Sequence, residues 1–216
     1  MLAVCLAAIA GYVDAYGFIT FSTFVSFMSG NTTHAGIRLG GQTFALALPA
    51  AAAILSFVAG VIAGTLLTSS RTPHARRILY LSIAALLALN IGASHPASNF
   101  IYPGIAMLSF TMGMMNTALS RVGKQTVNLT FVTGTLSQIG AHLALAVKRA
   151  PLNDGEGAWD TNLRRAILLT LVWSGFLAGA ILGGIATPRF GVRLLLLPLV
   201  IMLALAVFTR KQSGDE

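Results

Sequence analysis

Acidic side chains are almost missing from this chain: there are six in 216 residues, and Asp14 is the only one among the first 153. Charge of either sign is scarce at 9% of residues, against 56% hydrophobic residues and a mean hydropathy of +0.80. That excludes an ordinary soluble domain, in which about 25% of residues are charged, and fits an integral membrane protein. With Cys5 as the single cysteine there is no intramolecular disulfide, and no Cys or His pair has metal-ligand spacing, so no metal or other cofactor is expected. No nucleophile–base pair or paired intramembrane carboxylates can be assembled, which argues against an enzyme. Met1 to Gly11 ends in small residues, as a signal-peptide cleavage region does, but it lacks a positive n-region, and cleavage there would destroy the first apolar run.

What the chain has instead is apolar length. The stretches 1–21, 43–69, 77–93, 99–119, 165–187 and 193–208 carry almost no charge and do not alternate as barrel strands would. Helices are expected, because hydrocarbon leaves backbone groups no partner outside their own segment. The formal charge of +8 comes from fourteen Lys and Arg at the ends of these stretches. That distribution is a positive-inside pattern rather than a nucleic-acid surface. Arg71 to Arg77 and Arg121 to Lys124 read as cytoplasmic, and Ser94 to Ser98, free of Lys and Arg, as external.

An internal repeat organises the 1–216 membrane domain. Phe27-Met-Ser29-Gly30-Asn31-Thr-Thr-His34-Ala-Gly36 matches Phe131-Val-Thr133-Gly134-Thr135-Leu-Ser-Gln138-Ile-Gly140, and Phe57-x-x-Gly60-x-x-x-Gly64 matches Phe176-x-x-Gly179-x-x-x-Gly183. Gly11-Tyr-Val-Asp14-Ala likewise matches Gly113-Met-Met-Asn116-Thr. Repeat 1 spans about 1–95 and repeat 2 about 99–210, the second carrying a hydrophilic loop at 150–163 that holds three of the six acids. The fold expected is all-α, with about six transmembrane helices in two inverted repeats, each with a re-entrant or broken helix at its Ser/Thr-Gly motif. Three crossings per half insert the second half upside down; eight spans with parallel halves is the alternative. The architecture is that of many secondary transporters, which bind solute near the midplane where broken helices meet.

Candidate binding residues follow from the repeat. Ser29, Gly30, Asn31 and Thr32 form one polar turn and Thr133, Gly134 and Thr135 the other; each can cap a half-helix whose positive end suits an anion. Asp14, with Asn116 at the matching place, completes the set. An acid at bilayer depth costs roughly 2.5–3.5 kcal/mol on insertion scales and is a candidate functional group. Asp14 shares a helix face with Ala7, Gly11 and Ala15, small residues that admit a neighbouring helix. Its roles are a proton site, with His34 as a second candidate, or a structural cap of the Ser-Gly-Asn turn. His34 matches Gln138, which weakens an obligatory relay, and His74, His95 and His142 lie at span ends or loops. The Gly-x-x-x-Gly runs read as helix packing or a dimer contact. Met107, Met112, Met114 and Met115 surround Asn116 and fill irregular contacts. Asn31-Thr-Thr and Asn128-Leu-Thr match the glycosylation pattern but fall at membrane motifs and are discounted.

Gly11-Tyr-Val-Asp14-Ala-Tyr-Gly17-Phe followed by Phe24-Val-Ser-Phe-Met-Ser29-Gly30-Asn31-Thr32 resembles the YoaK-like family of bacterial membrane proteins (domain of unknown function 1275), which pairs a Gly-x-x-Asp-Ala element with a Met-Thr-Gly-Asn-Thr element. Ser29 stands where that family usually shows Thr. The resemblance covers essentially the whole chain and implies a multi-pass protein of the bacterial inner membrane with about six spans. It implies no activity. The residues themselves point to a secondary transporter or permease for a small polar or anionic solute, proton coupling through Asp14 being one form of it. Its partners would be the lipid bilayer, the solute and, given so few helices, a second copy; nucleic acid is not among them. A passive channel and a non-transporting scaffold are the alternatives.

Overall fold

The computed structural model describes residues 1–69, 74–93, 101–118, 121–122, 125–126, 132–152, 155, 157 and 159–212. Ser94 to Ser98 with His95, Arg71, Lys124, Asn128, Phe131 and the acids Asp154 and Glu156 lie outside the described residues.

Among the described residues eight α-helices carry the fold: α1 (Leu2–Phe21), α2 (Met28–Gly40), α3 (Phe44–Ser69), α4 (Ala75–Ala93), α5 (Ile101–Thr117), α6 (Val132–Val147), α7 (Asn162–Phe190) and α8 (Leu196–Gln212). A 3-10 turn, Gly191–Leu195, joins the last two. Two two-residue strands, Arg121–Val122 (β1) and Gln125–Thr126 (β2), pair antiparallel after α5 and are the described departure from the all-α expectation.

Among the described residues four helical stretches are long and apolar enough to cross a bilayer: Leu2–Phe21, Phe44–Ser69, Ala75–Ala93 and Asn162–Thr209. The last holds 48 residues, about 72 Å as a straight helix, twice what a hydrocarbon core of about 30 Å needs. It does not run straight. Pro188 and Gly191, whose φ of 53° suits a residue without Cβ, end α7. The chain then turns back, because Leu197, Pro198 and Ile201 of α8 share a groove with Gly179 and Leu182 of α7.

Glycine decides which helices meet. Val4, Ala8 and Tyr12 of α1 present their carbonyl oxygens to Gly175, Gly179 and Gly183 of α7 in ascending order, so the two helices run parallel. A Cβ on Gly179 would collide with the Ala8 carbonyl, and one on Gly11 with that of Phe176. The same lock recurs between α3 and α5: Gly60 lies on the Phe110 carbonyl, Gly113 on that of Phe57, and Gly64 on Met114 and Thr117. In lipid no hydrophobic drive holds helices together, so close backbone packing at small residues takes its place. Each lock joins a helix before residue 95 to one after it. α4 packs on α8, α2 on α3, and α6 on α7.

The locks predict opposite outcomes for two glycines on the same helix. Gly179→Val is expected to destabilise by more than the ~1–3 kcal/mol usual for overpacking, since the obstacle is backbone. At Gly184, where a Cβ meets nothing within 4 Å, substitution by Ala should be neutral or stabilise by up to about 1 kcal/mol, Ala being the better helix former. Unfolding of the purified variants in detergent, followed by circular dichroism, measures both.

Candidate functional site

The motif residues converge on the segment between α1 and α2. α1 stops at Ser22, which takes a left-handed conformation (φ 52°) while its N–H still reaches the Phe18 carbonyl at 2.9 Å. The chain then folds back along α1 instead of leaving it. Val25 and Ser26, both buried, donate their backbone N–H groups to one carboxyl oxygen of Asp14, Oδ1, at 2.9 and 2.8 Å. Asp14 sits two helical turns before the end of α1 and is 5% exposed.

Three further contacts fasten the same strap. Gly17 leaves room for Val25, whose Cγ1 lies only 2.6 Å from where a Cβ would stand. Phe24 stacks on Phe18 at 4.5 Å between ring centroids and meets Phe27 edge-on at 5.2 Å. Asn31, 2% exposed, reaches back from α2: its Nδ2 donates to the Phe24 carbonyl at 2.6 Å and its Oδ1 accepts from the Phe24 N–H at 3.2 Å. The amide thus pairs with a backbone unit as a neighbouring strand would. Buried backbone polar groups must be paired, and Asp14 and Asn31 between them satisfy three N–H groups and one carbonyl of the strap.

This differs from the expected cap. α2 begins at Met28 with Phe27 at its N-cap and no side-chain cap bond, so Ser29 and Asn31 lie inside the helix. Asn31 serves the strap rather than the helix end, because residues three and four apart share a face and carry it back over Phe24. Thr32 and Thr33 turn their hydroxyls onto the Met28 and Ser29 carbonyls, at 2.8 and 3.1 Å. Ser29, Thr32 and His34 are exposed, and Gly30 packs under the Phe27 ring.

In the second half Thr135, matching Asn31, is buried and Thr133 exposed, with Gly134 between them in the first turn of α6. Asn116, matching Asp14, buries an Oδ1 that has no hydrogen-bond partner among the described residues. The structure therefore brings Asp14 and Asn31 together on one strap, while α2 and α6 rest on different helices, α3 and α7.

A second polar cluster joins α6 to α7. Arg165 holds the Asp160 carboxylate with two nitrogens, at 3.0 and 2.6 Å, and both side chains are less than a tenth exposed. Asn162 donates to the Ala150 carbonyl at 2.9 Å and accepts at the same distance from Nδ1 of His142, which must donate because an amide oxygen cannot. Beside them a cavity of about 370 Å³ is lined by Arg149, Asp160, Thr161 and Asn162, among others. His142, expected at a span end or loop, lies within α6 instead; for the Arg165–Asp160 pair the recognisable signal was an acid and a base five residues apart at the start of an apolar run. Neither Ser26 nor Asn90, an amide buried in α4 that donates to the Leu86 carbonyl, stood out in the sequence.

Asn31 offers a test of the strap. Asn31→Leu, which removes both bonds to Phe24, and Asn31→Asp, which removes the donor, should each destabilise by about 1–3 kcal/mol, the range for stranding a buried polar partner. Thr32→Ala and His34→Ala, at exposed positions, should stay within about 0.5 kcal/mol of the parent. Denaturant unfolding in mixed micelles measures all four.

A sequence family described as "Protein of unknown function (DUF1275)" matches residues 2–208. The UPF0700 transmembrane protein RA0705 of Rhizobium meliloti (strain 1021) is 32% identical over 192 residues, which is 88% of this chain and 76% of that protein. The UPF0700 transmembrane protein YoaK of Bacillus subtilis (strain 168) is 25% identical over 220 residues, covering 98% and 94%. No solved structure matches. With its apolar helices and a family match over nearly its whole length, this chain is a membrane protein and belongs to the DUF1275 family.

Proposed function

We propose that the protein is a secondary transporter or permease for a small polar or anionic solute, working in the bacterial inner membrane and coupled to protons through Asp14. The observation that carries this reading is the pair of interlocked helix couples, α1 with α7 and α3 with α5. Each couple takes one helix from each half of the chain. Two rigid bodies of that kind can rock against each other, which is the motion alternating access requires. The strap at residues 22–27 joins them, since it leaves α1 in one body and enters α2, which rests on α3, in the other.

Six crossings in two inverted repeats fit the same geometry. α2 has 13 residues and α6 has 16, about 20 and 24 Å at 1.5 Å per residue, short of the ~30 Å of hydrocarbon. The strap returns to the level of Asp14 before α2 starts. A re-entrant α2 then emerges on the side it came from, and α3 runs antiparallel to α1. In this reading Asn31, Ser29, Gly30 and Thr32 in one half and Thr133, Gly134 and Thr135 in the other border the solute path, with Asp14 and Asn116 behind them. The polar exposed faces of α2 and α6 suit an aqueous path or a second copy of the chain, and a homodimer belongs to the proposal.

The test is flux. The purified protein in liposomes is offered a panel of labelled small acids and polar metabolites, with and without an inward proton gradient. Uptake above the external concentration that collapses with a protonophore, and loses its gradient dependence in Asp14→Asn, is the expected result. Downhill flux only, insensitive to the gradient, would indicate a channel. No flux for any solute, with Asp14→Asn altering abundance or complex formation alone, would indicate a scaffold.

A further inference from the structure

Asp14 is a carboxyl group in a span with nothing basic beside it. Its own helix offers Tyr12 and Tyr16; the strap from Ser22 to Phe27 holds no ionisable residue; α5 holds only Tyr102, at its first turn. The bases of α7 are Arg164 and Arg165 at one end, the latter occupied with Asp160, and Arg189 at the other, with a guanidinium nitrogen on the Ile185 carbonyl. The 3-10 turn that follows carries Arg193. Asp14 has no ion-pair partner among the described residues. Removing an ionised carboxylate from water without a counter-charge is costly enough that such groups neutralise instead.

The neighbour that completes the picture is Ser26. Its backbone N–H rests on Asp14 Oδ1, its side chain interacts with the same carboxyl, and its buried Oγ has no other hydrogen-bond partner. The hydroxyl can donate to the ionised carboxylate or accept from the protonated one, and the missing counter-charge favours the second arrangement. The carboxyl becomes neutral, the new O–H donates to Ser26 Oγ, and Oδ1 goes on accepting from Val25 and Ser26. An alkali cation would need several oxygen ligands around the carboxyl, and comparison of sodium with potassium separates it from a proton. We infer that Asp14 and Ser26 form a proton site, in which Asp14 carries the proton while the strap is fastened and Ser26 accepts the hydrogen bond from it. Proton uptake here forms one O–H bond on the carboxylate and takes its charge from −1 to 0.

The inference deepens the permease reading and rests on it for the membrane placement of α1. Its test reads the carboxyl group rather than flux, so the two can fail separately. Infrared spectra of the full-length protein in lipid are recorded across neutral pH in potassium buffer and again in sodium. The expected result is a protonated-carboxyl C=O band at neutral pH that is absent in Asp14→Asn. It should move to higher frequency in Ser26→Ala and return in Ser26→Thr. If Asp14→Asn does not fold, the Ser26 pair alone decides the matter, since only a carboxyl bonded to Ser26 shifts and is rescued by threonine. No such band, or a band unmoved in Ser26→Ala, overturns the proposal. A band bleached by sodium and not by potassium also overturns it, and assigns the site to an alkali cation.

Discussion

A chain that breaks its helix inside a membrane must provide hydrogen-bond partners for the groups it frees, because hydrocarbon supplies none. Two N–H groups on one oxygen of Asp14 meet that demand here. With them made, residues 22–27 can lie against α1 and Asn31 can close on Phe24. Without them, buried N–H groups would stand unpaired, each costing on the order of 1–3 kcal/mol. The strap's aromatic contacts add specificity, but rings cannot satisfy an amide.

The glycine locks set the frame in which that strap works. The α1–α7 and α3–α5 couples bring backbone against backbone, so they tolerate little relative movement. Between the couples lie the strap, the direct contact of α1 with α5, and α4, which packs on α5 and α3 as well as on α8. The fastening at Asp14 holds the first of these.

Much of the fold was legible in the chain. Apolar run length marked the long helices, and the two Phe-x-x-Gly-x-x-x-Gly runs announced the locks because little but close approach needs glycine every fourth residue in lipid. What the runs could not say was their partner. That Gly179 would meet Ala8 rather than another residue of its own half is a tertiary fact. The site was legible in part. Asp14 stood out by isolation and Asn31 by repetition, but Asn31 looked like a helix cap when it pairs with Phe24 seven residues earlier. The amides of Val25 and Ser26 were invisible in principle, since every residue but proline has one. Ser26 was hidden for another reason: a hydroxyl among Phe, Val and Met reads as an ordinary membrane serine until its neighbour is known. His142 and Asn162 lie twenty residues apart across a polar loop, a distance over which sequence pattern carries no pairing information.

The two halves differ where the chemistry is. Accepting two N–H groups does not require a charge: the amide oxygen of asparagine has two lone pairs and could do it at lower desolvation cost. The second half has asparagine at the matching position, Asn116, half-buried with its Oδ1 shielded from solvent. Fastening alone is thus a reason for a polar residue at position 14 and not for an acid. What aspartate adds over asparagine is a group that can gain and lose a proton, and with it the option of changing charge on a joint between two stiff bodies. Carrying an acid at only one of the two matching positions, Asp14 against Asn116, is the asymmetry that the proposed proton-driven cycle would use and a passive pore would have no need of.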